Sequence, residues 1–168
     1  MHRLILGALV VLAACARPEP PAPGLRDPDT QIASAALFDP VRFADVWHVA
    51  AAYGSEVLCG PLAETWVLSG PGRYEVTGTA CGPNGARAFA GKAAMTGPGR
   101  IIREGLNGPE ELWVLWVDQD FRVAVIGTPD GRFGRILSRT PKVRPDLLNA
   151  AREVLDFNGY DTSRLGLI

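Results

Sequence analysis

From Trp47 onward the chain alternates short apolar runs with turn-forming residues. The runs are Trp47–Tyr53, Leu62–Leu68, Tyr74–Ala80, Ala86–Met95, Arg100–Glu104, Glu111–Val117, Arg122–Thr128 and Phe133–Ser138. Between them stand Gly70-Pro71-Gly72, Gly82-Pro83-Asn84-Gly85, Gly97-Pro98-Gly99, Asn107-Gly108, Asp118-Gln119-Asp120 and Asp130-Gly131. Asn-Gly and Asp-Gly accept the positive φ angles that tight hairpins need. Short strands at even spacing, joined mostly by such turns, predict an all-β fold: an eight-stranded antiparallel up-and-down barrel, whose closure leaves no open edge. The period then changes. Pro145 suits a first helical turn, Leu147, Leu148, Ala151, Val154 and Leu155 fall on one face, and Gly159 suits a left-handed stop. This predicts one C-terminal α-helix, packed outside the barrel by its apolar stripe. It lacks the Lys/Arg-rich polar face of a membrane-surface helix.

The chain ahead of the first strand has a different character. Arg3 precedes an apolar stretch from Leu4 to Leu12, which ends in Leu12-Ala13-Ala14-Cys15. A basic start, a short apolar core and small residues at the cut form an export signal. The stretch falls short of the ~20 apolar residues that span a bilayer. The cysteine at the cut resembles the lipobox of bacterial lipoproteins. That resemblance implies that Cys15 becomes the acylated first residue, that several acyl chains hold it, and that Ala16 directs the protein to the outer membrane. One chain binds only marginally, at ~0.8 kcal/mol per buried CH₂, and several give a stable anchor. Residues 16–29 are rich in proline and predict a polyproline II spacer of ~40 Å. The expected division is a signal peptide at 1–14, acylated Cys15 and tether at 15–30, and the folded domain at 31–168.

The net charge of −1 and pI of about 6.1 give no basic patch for nucleic acid. Cys59 and Cys81 are an even pair in an exported chain, where disulfides persist. A bond between them is expected, with two free buried thiols as the alternative. Closing a loop of that length is worth ~3 kcal/mol in the chain-entropy model. Catalytic chemistry is thinly represented. His2 belongs to the leader, and His48 alone makes no metal site. No serine sits in a Gly-x-Ser-x-Gly elbow, and Asp118 and Asp120 read as turn residues. No enzyme activity, metal or cofactor is expected.

Three segments, in order, resemble lipocalin motifs. Phe43-Ala44-Asp45-Val46-Trp47-His48-Val49-Ala50 resembles the first, Val117-Asp118-Gln119-Asp120-Phe121 the second, and Ile136-Leu137-Ser138-Arg139-Thr140-Pro141 the third. The last, with the trailing helix and Asn158-Gly159-Tyr160-Asp161-Thr162-Ser163, is similar to bacterial outer-membrane lipocalins and to apolipoprotein D. The likeness covers roughly residues 37–165. Two departures stand out: Asp45 where the family has glycine, and His48 where it often has tyrosine. The resemblance implies that Trp47 plugs the closed end with Arg139 across its ring, a contact worth ~0.5–2 kcal/mol.

Such a barrel holds one small ligand. Strand parity names the expected lining. With Trp47 inward, Val49, Ala51 and Tyr53 follow. Trp66 and Leu68 share a face, as do Tyr74, Val76, Gly78 and Ala80, and Phe89, Gly91, Ala93 and Met95. Ala51, Gly78 and Ala93 would leave space for an acyl chain. The run Leu112–Val117 is apolar on both faces, so alternation does not set its register. Val114 and Trp116 are taken inward. Phe133, Arg135, Leu137 and Arg139 share parity. If that face is internal, Arg135 needs a partner. The partner is an anionic ligand head, a neighbouring acid, or water at the rim. The ligand residues expected are therefore Val49, Tyr53, Trp66, Val76, Phe89, Met95, Val114, Trp116 and Arg135.

Three functions compete. One is a membrane-anchored module that stores or transports a fatty acid or lysophospholipid during envelope maintenance, at the periplasmic face of the outer membrane. Another is an assembly lipoprotein whose barrel is filled and whose outer surface does the work. The third is a lipocalin-fold enzyme, which needs converging polar groups in the lumen.

Overall fold

The computed structural model describes residues 24–82, 84–105 and 108–168. The export signal, Cys15 and the tether up to residue 23 lie outside the described residues. A short helix α1 (Pro40–Phe43) leads into β1 (Asp45–Tyr53). There follow β2 (Ala63–Gly70), β3 (Arg73–Gly82), β4 (Gly85–Gly97), β5 (Arg100–Gly105), β6 (Gly108–Val117), β7 (Val123–Gly127) and β8 (Gly134–Ser138). Helix α2 (Pro145–Phe157) and a three-residue strand β9 (Leu165–Leu167) complete the chain. Each strand from β2 to β8 pairs antiparallel with the next, β8 pairs with β1, and β1 pairs with β2. The eight strands thus close in the expected meander. The ninth, which periodicity does not reveal, adds to the mouth half of β1, pairing Leu167 with Ala51 and Leu165 with Tyr53.

The ends of the barrel differ. At the closed end, Asp39 caps α1 by accepting hydrogen bonds from the amides of Val41 and Arg42. The mouth is formed by the β1–β2 connection, the tips of the β3–β4 and β5–β6 hairpins, and the β7–β8 loop. Two cores result. The inner one includes Phe43, Trp47, Val49, Ala52, Trp66, Tyr74, Val76, Ile101, Leu112, Val114 and Leu137. The outer one lies between the wall and α2 and contains Ala50, Ala51, Tyr53, Leu115, Val125, Ile136, Ala151, Leu155 and Tyr160. The apolar stripe of α2 is used there, on the outside of the barrel.

Two expectations of strand parity are corrected, for one reason. A bulge places two residues of one strand against one of its neighbour and shifts alternation beyond it. In β1 the register shifts between Val49 and Ala51. Ala52 therefore turns inward, and Ala51 and Tyr53 join the outer core. In β6 the shift falls between Val114 and Trp116. Val114 stays inward, Leu115 and Trp116 face the helix side, and Val117 returns to the interior. Tyr53 and Trp116 are thus wall residues of the outer core, not lumen residues.

Residues 24–30, assigned from their prolines to the spacer, are also corrected: they are packed. The Leu25 amide donates to the carbonyl of Gly131, and the buried Arg26 donates to the carbonyls of Asn158, Pro129 and Thr30. Asp45 has φ 94°, a region that favours glycine, and its carboxylate accepts the amide of Val46 at 2.8 Å. The position still requires a glycine-like backbone, and the short polar side chain tolerates it locally.

Candidate functional site

The floor of the barrel is an aromatic cluster. Phe43 has its ring centroid 5.2 Å from that of Trp47 and 5.3 Å from that of Trp66, and Trp66 is 5.4 Å from Tyr74. The edge-to-face angles near 80° suit ring quadrupoles. Each polar atom here has a partner. The indole of Trp47 donates to the carbonyl of Phe43, and the Tyr74 hydroxyl donates to that of Pro40. Arg139 lies 3.7 Å from the centre of the Trp47 ring and donates to the carbonyls of Val46, Arg42, Ala44 and Phe121. One side chain thereby ties β8 to the start of β1, to α1 and to the β6–β7 turn. This pair is structural.

Above the floor is a layer of charge. Glu64 shares parity with Trp66 on β2 and is fully buried. It accepts two hydrogen bonds from Arg103, at 2.9 and 3.0 Å, one from Arg135 at 2.6 Å, and one from the Trp66 indole at 3.1 Å. Arg135 also donates to both oxygens of Glu56 in the β1–β2 connection. Arg103 reaches Glu110 on β6 at 2.8 Å. The order Glu56–Arg135–Glu64–Arg103–Glu110 crosses the barrel from one wall to the other. Burial alone would raise the Glu64 pKa. The guanidiniums of Arg103 and Arg135, with their hydrogen bonds, outweigh it and hold the carboxyl below the usual carboxylate range. Burial likewise works against the charge of Arg135, and its bonds to Glu56 and the field of Glu64 overcome it and raise its pKa. Among the described residues one donor of the layer has no partner, the buried Nε of Arg103.

Arg135 is therefore internal, and of the three partners left open it takes neighbouring acids, Glu56 and Glu64. Among the other expected ligand residues, Val49, Trp66, Val76 and Val114 are buried in the inner core. Phe89 and Met95 pack half-buried against it. Glycine does not leave the expected space. A Cβ on Gly78 would collide with the carbonyl oxygen of Ala63, and one on Gly91 would stand 2.6 Å from that of Glu104. These glycines admit neighbouring backbone instead of ligand. The lower half of the barrel is thus occupied by its own side chains. The sequence reading missed Glu64, Arg103 and Glu110, although parity with Trp66, Ile101 and Leu112 already placed them inward.

The space lies at the mouth. Strand β6 pairs with β5 over Gly108–Trp113, whereas β7 covers only Trp113–Val117. The early part of β6 has no ladder on its other side, and the β7–β8 loop bends away from it. A cavity of about 640 Å³ occupies this place, with Ile102, Leu112 and Phe133 as its apolar walls and Glu110, Glu111, Asp130 and Arg132 as its charged ones. The volume lies within the range of small-molecule sites. The β1–β2 connection beside the mouth is fastened by a disulfide between Cys59 and Cys81, which joins it to the tip of β3.

The lipocalin-like domain model matches residues 64–168. Among curated proteins none matches the chain. Several solved structures share its fold. Insecticyanin from the tobacco hornworm is 17% identical, with a TM-score of 0.65 over 82% of this chain and 83% of that one. Lobster apocrustacyanin A1 is 16% identical, with a TM-score of 0.62 over 77% and 78%. Ex-FABP, a siderocalin described as having dual ligand specificities, is 20% identical, with a TM-score of 0.60 over 76% and 93%. The matched segment begins within β2 and runs to the last residue; it takes in Trp66 and Tyr74 of the floor, Glu64, Arg103, Glu110 and Arg135 of the ionic layer and the lining of the mouth cavity, and on this ground the chain belongs to the lipocalin-like family.

Proposed function

We propose that this protein is a membrane-anchored lipid binder that takes one single-chain lipid, a fatty acid or lysophospholipid, at the mouth of its barrel and stores or moves it at the outer membrane. Membership of the family implies a small hydrophobic ligand. The observation that carries the proposal is the mouth cavity, apolar on Ile102, Leu112 and Phe133 and polar on its rim. It suits a molecule with one greasy end and one wet end. The ligand does not need the lower barrel, so this reading is compatible with the filled aromatic floor.

Gly24 and Leu25 bear on which end of the barrel an anchor at Cys15 would hold. Gly24 and Leu25 lie against the β7–β8 loop, at the mouth. Cys15 lies nine residues upstream in the sequence. An extended proline-rich segment of that length reaches ~28 Å. An acyl group on Cys15 would therefore hold the mouth, not the closed end, towards the bilayer. Lipid would then pass between membrane and cavity over a short path.

The test is native mass spectrometry of the full chain released gently from membranes, with extraction of bound lipid. The expected result is one lipid per chain and loss of the membrane fraction on Cys15→Ala substitution. Protein free of lipid that also fails to bind added lysophospholipid would refute the carrier function.

A second reading has its own observation. The groove beside α2, about 510 Å³ in volume, is lined by Leu115, Trp116, Val154 and Phe157, and Phe157 is 79% exposed. An assembly lipoprotein working through its outer surface would use this face. Loss of function on Phe157→Ser with lipid content unchanged favours it.

A further inference from the structure

We infer that the mouth cavity selects amphiphiles with a positively charged head and rejects free carboxylates. This rests on the lipid-binding reading above and narrows its ligand class. The charged walls of the cavity are three carboxylates, Glu110, Glu111 and Asp130, and one guanidinium, Arg132. Arg132 is already committed to Asp130, 2.6 Å away. Glu110 shares Arg103 with Glu64, and Glu64 shares Arg135 with Glu56. The layer behind the cavity is therefore short of cations, with three carboxylates on two guanidiniums. Glu111 accepts a hydrogen bond from the Trp113 indole and has no basic partner among the described residues.

An incoming carboxylate meets this excess of negative charge at the rim. To reach a guanidinium it must compete with Asp130 for Arg132, displace Glu110 from Arg103 or displace Glu56 from Arg135, each time exchanging one carboxylate for another. An ammonium head meets Glu110 and Glu111 directly while its chain lies along Leu112 and Phe133. The specificity residues are Glu110 and Glu111, acting by charge, with Arg103 holding Glu110 in place.

The experiment compares decyltrimethylammonium, decanol and decanoate by calorimetric titration of the full chain, freed of endogenous lipid. The cation is expected to bind about five- to tenfold tighter than the alcohol, and decanoate weaker than both. Raising salt should weaken the cation and leave the alcohol unchanged. In Glu110→Gln/Glu111→Gln the advantage of the cation should disappear while decanol binding persists. If that variant does not fold, the salt series on the unaltered chain decides the question: cation binding insensitive to salt overturns the inference. Decanoate binding as tightly as the cation also overturns it and leaves the lipid-binding reading intact. If none of the three binds, both fall.

Discussion

Replacing Arg135 with methionine tests whether the ionic layer is structural. The substitution removes the donors to Glu64 at 2.6 Å and to both oxygens of Glu56. Glu64, 1% exposed, keeps Arg103 at 2.9 and 3.0 Å. Deleting one partner of a buried ion pair costs ~3–5 kcal/mol. Half of the pairing survives and methionine refills apolar volume, so a loss at the lower end, ~3 kcal/mol, is expected. For a domain of this size that corresponds to a fall in Tm of roughly 10 °C.

The pH dependence sharpens the test. The folded pKa of Glu64 lies below its unfolded value, so its charge stabilises the fold above the unfolded value. That contribution is lost as pH falls through the folded pKa. In the parent protein the loss therefore begins as pH falls through the ordinary carboxylate value, about pH 4, and is complete only below the folded pKa. In Arg135→Met one guanidinium no longer offsets burial, the carboxyl rises towards its unfolded value, and the share of the acid loss that Glu64 supplies shrinks. Circular-dichroism melts across an acid-to-neutral series measure both effects. A variant that melts within ~1 kcal/mol of the parent with the same acid limb would refute the structural role of the layer.

Three further outcomes follow from the same geometry. Reducing the Cys59–Cys81 bond, which links residues 22 apart, should lower stability by ~3 kcal/mol, read as a shift of the urea midpoint with reductant present. Asp45→Gly should raise stability by ~1 kcal/mol, because φ 94° then costs nothing; a lower melting temperature would show that the Val46 amide bond outweighs backbone strain. Gly78→Ala should cost ~1–3 kcal/mol, because its methyl group would meet the Ala63 carbonyl; a neutral result would mean that β2 and β3 can part there.

The meander is legible in the sequence because each connection after β2 carries its own turn chemistry. The helix is legible from its period. What escapes depends on neighbours. Strand β9 is three residues long, and only the free mouth-side edge of β1 makes it a strand. The bulges at Val49/Ala51 and Val114/Trp116 are set by the curvature of a closed wall, which no alternation within one strand reveals. Parity therefore places Val49 and Val114 correctly and fails at Tyr53 and Trp116, a few residues later.

The charged layer is partly legible. Glu64, Arg103, Glu110 and Arg135 each share parity with a buried neighbour on their own strand, yet a lone inward charge is easily taken as a rim residue. Closure of the barrel brings Glu64 on β2 to Arg103 on β5 and Arg135 on β8, whereas Glu110 meets Arg103 as its direct partner across the β5–β6 hairpin. The position of the cavity escapes for a different reason. Small side chains suggest free volume, but at Gly78 and Gly91 the volume is taken by the adjoining backbone. The real opening comes from a difference in strand length: β6 has ten residues and β7 five, so the wall ends early on one side. The proposed ligand site of this chain is thus specified by where pairing stops, and its proposed selectivity by the carboxylates that the stop leaves at the edge.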